Sequence, residues 1–146
     1  MDAKLRLRVI TPGGTKLDES CDMVIVRCIT GDMGFLPRHE ACSAILDYGK
    51  LRIFISGQDE RIMAVFGGIV QVKDDEVTIL TNDAQWPEDI DRARADADLD
   101  IFSRRVQEEE DKVALQKHQA KLRRTLVRIE VSSYPLINAG ISKDPQ

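Results

Sequence analysis

Residues able to carry covalent or metal chemistry are few in this chain. The thiols and imidazoles are Cys21, Cys28, Cys42, His39 and His118. Nucleophilic catalysis needs a thiol or hydroxyl beside an imidazole base that a further group orients. His39 stands three residues before Cys42, and the sequence supplies no third member for that pair. A zinc site needs four ligands at recognisable spacing, and no Cys-x-x-Cys occurs. The odd cysteine count argues against a disulfide framework, so the thiols read as small apolar core residues in a reducing compartment. No Gly-x-Ser-x-Gly elbow, phosphate loop or dinucleotide fingerprint is present. His118, between Lys117 and Gln119, reads as a surface residue. The expectation is a non-enzymatic protein with no catalytic residues, no metal and no required cofactor.

The charged residues are more informative. Residues 88–111 carry ten acids against four bases. Residues 112–130 carry Lys112, Lys117, Lys121, Arg123, Arg124 and Arg128 against Glu130 alone. Two helices segregated in this way would complement each other when folded antiparallel, and each would suit an oppositely charged external partner. The chain as a whole is nearly balanced, 146 residues with a net charge of −4. That balance argues against nucleic-acid binding through a broad basic footprint. With 42% hydrophobic and 32% charged residues the composition is that of a globular chain, not a disordered one. No apolar run approaches the ~20 residues that span a bilayer. The first residues lack an apolar signal core. The expected protein is cytoplasmic, or held at a larger assembly through protein contacts.

The elements that must position these residues fall into two halves. Residues 1–86 read as all-β. Leu5, Leu7 and Val9 alternate with Lys4, Arg6 and Arg8, a period of two. Further β-rich runs are 23–29, 44–48, 51–55, 61–66, 69–72 and 77–80, punctuated by Gly49, Gly57, Gly67-Gly68 and Asp74-Asp75. The pattern predicts an antiparallel β sandwich or barrel of about ten short strands. Gly67-Gly68 reads as a bulge or a close backbone approach. Residues 87–133 read as two helices. Neither Gly nor Pro occurs between Pro87 and Pro135, and Pro87-Glu88-Asp89 is a helix-start signal. Ile90, Ala93, Ala97 and Ile101 form one apolar stripe; Leu115, Leu122, Leu126 and Ile129 form another. The only break between them is the acidic run Glu108-Glu109-Glu110-Asp111, which fits either a hairpin or one long helix. Trp86 is expected to anchor the junction of the halves. Residues 134–146 are expected to fray.

Four stretches, in order, give this chain a family resemblance. They are the β half followed by the Ala- and charge-rich helical pair; the loop Gly31-Asp32-Met33-Gly34-Phe35-Leu36-Pro37-Arg38-His39-Glu40; Phe66-Gly67-Gly68-Ile69-Val70-Gln71-Val72 followed by Val77-Thr78-Ile79-Leu80; and Ile90-Asp91-Arg92-Ala93-Arg94-Ala95. Together they resemble the epsilon subunit of bacterial F-type ATP synthase. The resemblance implies a non-catalytic central-stalk subunit on the cytoplasmic face of the cell membrane, attached only through its complex. The β domain would dock on the gamma subunit and the c-ring, with Met33, Phe35, Leu36 and His39 at the contact; the apolar loop residues Met33, Phe35 and Leu36 fit plugs of the core equally well. The helical domain would extend to block ATP hydrolysis, with Lys117, Lys121 and Arg123 reaching the catalytic beta and alpha subunits.

In some members of that family the folded-down helices bind one regulatory ATP. The resemblance carries this site onto Ile90, Asp91, Arg94 and Ala95 of the first helix, and onto Arg124 and Arg128 of the second. Asp91 can accept hydrogen bonds from adenine or ribose, and arginine forks fit phosphate oxygens. The competing role for Asp91 and Arg94 is to cap and brace the helix. Two positions depart from the family pattern: Gln85 stands where a glutamate is frequent, and Ile101 where some members carry another arginine. The alternative function is a free-standing β-sandwich and hairpin adaptor that binds protein partners and no nucleotide.

Overall fold

The structure is a computed structural model that describes residues 3–134. The strands are β1 (Leu5–Thr11), β2 (Gly14–Cys21), β3 (Met23–Cys28), β4 (Gly31–Phe35), β5 (Cys42–Phe54), β6 (Arg61–Lys73), β7 (Glu76–Leu80) and β8 (Ala84–Gln85). They form one eight-stranded sheet in the order β2-β1-β7-β6-β5-β3-β4, with β8 added on β6. Every pairing is antiparallel except β1 with β7, which is parallel. The outer strands β2 and β4 do not meet along this path, so the sheet is an open sandwich rather than a closed barrel.

Eight strands form where about ten were expected, because two glycine signals turn corners instead of ending strands. The runs 44–48 and 51–55 are one 13-residue strand, and 61–66 and 69–72 are another. Side-chain parity shows how. In β6, Met63 and Val65 enter the main core ahead of Gly67-Gly68, whereas Val70 and Val72 enter it beyond them. In β5 the inward residues change from Leu46 to Leu51 and Ile53 across Gly49. A period-two strand presents one parity to one face, so the flip lets a bending strand keep its apolar side on a single core. Gly67 and Gly68 take φ of 78° and 115°, the region that glycine occupies without a steric penalty.

The main core is the sandwich interior, with Leu5, Leu7, Val9, Val24, Phe35, Ile53 and Ile79 all at its centre. Cys21 and Cys28 are buried free thiols, as expected, and burial pushes the Cys21 thiol up to about 11. At the rim, the Asp22 carboxylate accepts hydrogen bonds from Lys4 Nζ and from the Ser56 N–H. Those bonds hold it down at about 2, against an ordinary 3.8. A depressed carboxylate stabilises the fold above its unfolded pKa and stops doing so as pH falls through the folded one. The melting temperature should therefore fall between about pH 4 and pH 2. Asp22→Asn should flatten part of that acid limb in a pH series of melts; an unchanged limb would show that this cluster contributes nothing.

After β8 comes a 3-10 turn, Pro87–Asp89, then α1 (Arg92–Glu108) and α2 (Lys112–Ser132). Trp86 packs on the main core beneath the Arg61 guanidinium, 4.3 Å from the ring centroid, and anchors the junction as expected. The helices form a hairpin, with Arg92 Nη1 at the start of α1 reaching the Ser132 and Ser133 hydroxyls at the end of α2. Its break is Asp111, whose carboxylate accepts from the Ala114 N–H and caps α2 while the chain runs extended at Glu109. An aspartate at this position satisfies an orphan amide of the new helix.

Both apolar stripes need correction. Ala93, Ala97 and Ile101 face solvent; α1 turns Ala95 inward, with Leu99, Phe102 and Val106 half-buried beside it. On α2, Leu126 is exposed, and Thr125, Val127 and Val131 are the buried residues. The cause is that α2 has two neighbours, α1 and the sheet. Leu115, Leu122 and Ile129 of the expected stripe are half-buried, while Val127 and Val131, outside it, pack with Ile62, Ala64 and Phe66 on the outer face of β6, in a second small core. His118 is half-buried rather than on the surface, with Nε2 3.2 Å from Glu109 Oε1 at the hairpin turn. Tyr134, at the head of the expected tail, packs on the second core and takes a hydrogen bond from Lys50; the remainder of that tail lies outside the described residues.

Candidate functional site

Where β8, the 3-10 turn and the two helices meet, they enclose a cleft of about 320 Å³. Five of the six residues expected at a nucleotide site line it: Ile90, Asp91, Arg94, Ala95 and Arg128. Each is positioned by a specific element. Asp91 is the N-cap of α1 and accepts from the Arg94 N–H through Oδ1 at 3.0 Å, so the capping role considered for it is real. Arg94 stands on the first turn of α1 with its side chain 80% exposed. Ala95 is buried against the cleft floor and Ile90 packs on the second core.

Arg128 reaches in from α2. Its Nε donates to Gln85 Oε1 at 2.8 Å, and its guanidinium lies 4.9 Å from the Phe66 ring centroid. Burial, followed by the repulsion of Arg124, lowers its pKa. The sixth expected residue, Arg124, does not line the cleft. It sits one turn earlier on α2, its guanidinium 4.8 Å from the centroid of the same Phe66 ring. Asp89 and Asp98 complete the walls, and neither was singled out from the sequence. The cleft therefore joins two guanidiniums, an amide and three carboxylates around an apolar floor. This is a set for holding a polar ligand, with no Ser, Cys or His among its lining residues.

The Cys–His pair lies elsewhere. His39 Nδ1 is 3.9 Å from Cys42 Sγ, but it also approaches the Glu40 carbonyl oxygen at 2.8 Å, and the ring packs edge-on against Phe35. Among the described residues no carboxylate is hydrogen-bonded to its ring.

The residues expected at partner contacts separate. Phe35 takes the core-plug role of the two open to it: at 0% exposure it sits in the main core and offers no surface. Met33 is half-buried and packs on the same core, and His39 is half-buried beneath Phe35. Leu36 alone of this loop is an exposed apolar residue. Lys117, Lys121 and Arg123 are exposed on α2. Arg123 is engaged in the folded state, ion-paired with Asp47 and stacked over Tyr48.

A different apolar surface was not anticipated. Ile10 pairs with Leu80, Leu80 with Ile69 and Ile69 with Ile45, and the Ile29 N–H bonds to the Ile45 carbonyl. Laterally paired residues point to one face, so these five form a row across β1, β7, β6 and β5 to the end of β3. Their immediate neighbours Val9, Ile79, Val70, Leu46 and Cys28 are buried, which turns the row outward. Ile29 is 61% exposed and Ile45 57%. A hollow of about 360 Å³ beside Ile10, Gly68 and Leu80 extends it. The signal was present in the sequence: five apolar doublets, each violating strict alternation. This continuous aliphatic surface is the candidate for a protein contact on the β domain.

Residues 4–87 match the family described as the ATP synthase delta/epsilon chain, beta-sandwich domain. The chain belongs to the ATP synthase epsilon-chain family. An ATP synthase epsilon chain from Halalkalibacterium halodurans is 35% identical over 129 residues, 88% of this chain and 96% of the relative, so the likeness reaches through the hairpin. Among solved structures, a chain of the Euglena gracilis mitochondrial ATP synthase, solved with its F1 and c-ring, shares the fold at a TM-score of 0.80. It is 23% identical, over 92% of this chain and 84% of that one. A chain of the Tetrahymena thermophila mitochondrial ATP synthase central stalk and c-ring gives a TM-score of 0.59 at 15% identity, over 90% and 98%. Membership in the epsilon family favours a subunit of an assembly over a free-standing adaptor. No described helix is long and apolar enough to cross a membrane.

Proposed function

We propose that this chain is a non-catalytic stalk subunit that helps couple ion flow to ATP synthesis and restrains ATP hydrolysis through its hairpin, with nucleotide favouring the folded hairpin. Two surfaces support the reading. The aliphatic row suits a permanent contact with the gamma subunit. The exposed cations Lys117 and Lys121 suit acidic segments of the catalytic subunits once α2 has left the sheet.

The observation that carries the nucleotide part is the composition of the cleft. Its walls come from β8, the linker, α1 and α2, so it exists only while the hairpin lies on the sheet. A ligand that bridges these walls binds one state and shifts the equilibrium toward it. The stabilisation is RT ln(1 + [L]/Kd). Polyphosphate would also stabilise the half-buried Arg128 guanidinium, whose charged form burial and the repulsion of Arg124 disfavour.

The hairpin is held in a way that permits release. Its latch to the sheet comprises a small apolar cluster and the polar contacts Arg123–Asp47, Lys50–Glu130 and Arg128–Gln85. The exposed Arg123–Asp47 pair among these contributes roughly 0.2–1 kcal/mol. Calorimetric titration of the whole chain with ATP is the test. Saturable binding should appear in the parent and weaken about tenfold or more in Arg94→Ala and in Arg128→Ala. Binding that both variants leave intact would remove the cleft from the mechanism, and no binding in the parent would remove nucleotide sensing while leaving the stalk role.

A further inference from the structure

The cleft already contains an anion facing its most accessible cation. Asp98 stands one turn beyond Arg94 on α1, with its Oδ2 4.0 Å from Arg94 Nε. Both residues line the cleft with Arg128, and the Asp98 charge is also felt by Arg128, whose charged form it favours. Arg94 is the exposed, movable guanidinium; Asp98 is the better buried partner, with 30% of its side chain accessible. Arg128 is tied to the neutral Gln85 amide. The nearest carboxylate to the Arg94 guanidinium is therefore the group that an incoming phosphate must replace.

Resting on the nucleotide reading above, we propose that Asp98 is the internal counter-ion of this cleft, a competitor for Arg94 that sets phosphate affinity and penalises ligands in proportion to their charge. The physical basis is twofold. The Asp98 carboxylate attracts the Arg94 guanidinium across 4.0 Å, and that attraction is lost when phosphate takes the fork. Its own charge then lies a few ångströms from the phosphate, where repulsion in a partly buried cleft exceeds that in water. Both effects grow with the number of phosphoryl charges, so Asp98 acts most strongly on a triphosphate and least on a monophosphate. Such a residue keeps the site responsive to the rise and fall of nucleotide instead of permanently filled.

The test uses the full chain and three ligands, ATP, ADP and AMP, titrated by calorimetry into the parent, Asp98→Asn, Asp98→Glu and Asp98→Asn combined with Arg94→Ala. Asp98→Asn should tighten ATP binding about tenfold, ADP less, and AMP little. Asp98→Glu, which keeps the charge, should stay near the parent. In the double variant the gain should shrink, because the competition for Arg94 is gone. Melts without ligand identify any general stabilisation. ATP binding equal in parent and Asp98→Asn overturns the proposal while the nucleotide cleft stands. So does an equal gain for all three ligands, which would report local relaxation rather than phosphate competition. Failure of parent and Asp98→Asn alike to bind ATP removes both readings.

Discussion

Gly68→Ala is expected to leave the β domain largely unable to fold. A methyl group built on Gly68 would lie 1.9 Å from the Leu80 carbonyl oxygen, 2.8 Å from Thr81 Cα and 2.9 Å from the Leu80 carbonyl carbon. All three are backbone atoms, so no side chain can rotate away; the β6–β7 ladder or the corner itself must open. The φ of 115° adds strain that an L residue pays and glycine does not. Strain of about 1–2 kcal/mol and overpacking of about 1–3 kcal/mol or more together approach the whole stability of a marginal domain, about 5–15 kcal/mol. Gly57→Ala is the matched control: φ is 79° and nothing lies within 4 Å, so only the strain should appear. Urea unfolding of the two variants separates the effects. Equal midpoints would show that the close approach to Leu80 is not what sets the cost.

That corner also explains which parts of the structure were legible. Alternation in β1 and the Gly/Asp punctuation gave the fold class, because period two survives wherever one face is buried. Strand count was harder to read, since glycine signals both a turn and a corner, and only side-chain parity across Gly67-Gly68 separates them. The helical halves were clear from their composition, yet their inward faces were not. A single stripe assumes one neighbour, and α2 has two, so Val127 and Val131, outside the leucine stripe, are buried as well. In the cleft, the motif led to Ile90, Asp91, Arg94 and Ala95, and the family resemblance of the second helix to Arg128. Asp98 was not visible as a site residue, because one aspartate in a run of alternating acids carries no signal until the helix is rotated into place. Phe35 was open in both directions: an apolar residue in a Gly-bounded loop can plug a core or meet a partner, and only its place in the sandwich interior shows that the ring is buried.

Ile45→Asp should abolish association with the rest of the stalk while leaving the fold intact. Ile45 lies inside the aliphatic row, between Ile69 and Ile29, and is 57% exposed on the outer face of β5, so a carboxylate there stays in water in the free chain. Loss of β-branching on a strand costs about 1 kcal/mol at most. At the interface the same carboxylate would be desolvated between Ile69 and Ile29, without a cation among those residues. A central contact residue of this kind is worth about 2–4 kcal/mol, a factor of roughly 30 to 1,000 in affinity. Phe35→Asp looks like the same experiment but is not. It places a charge at a fully enclosed position and should unfold the domain, so lost association would say nothing about docking. Leu36→Asp, on the exposed loop, is the informative comparison. Co-purification with the stalk subunits, beside a melting curve for each variant, distinguishes the two surfaces. If Ile45→Asp still co-purifies at a normal melting temperature and Leu36→Asp does not, the docking face is the Gly31–Glu40 loop and the row serves another purpose. If only Ile45→Asp is lost, the outward members of five apolar doublets are the contact that holds this subunit on its complex.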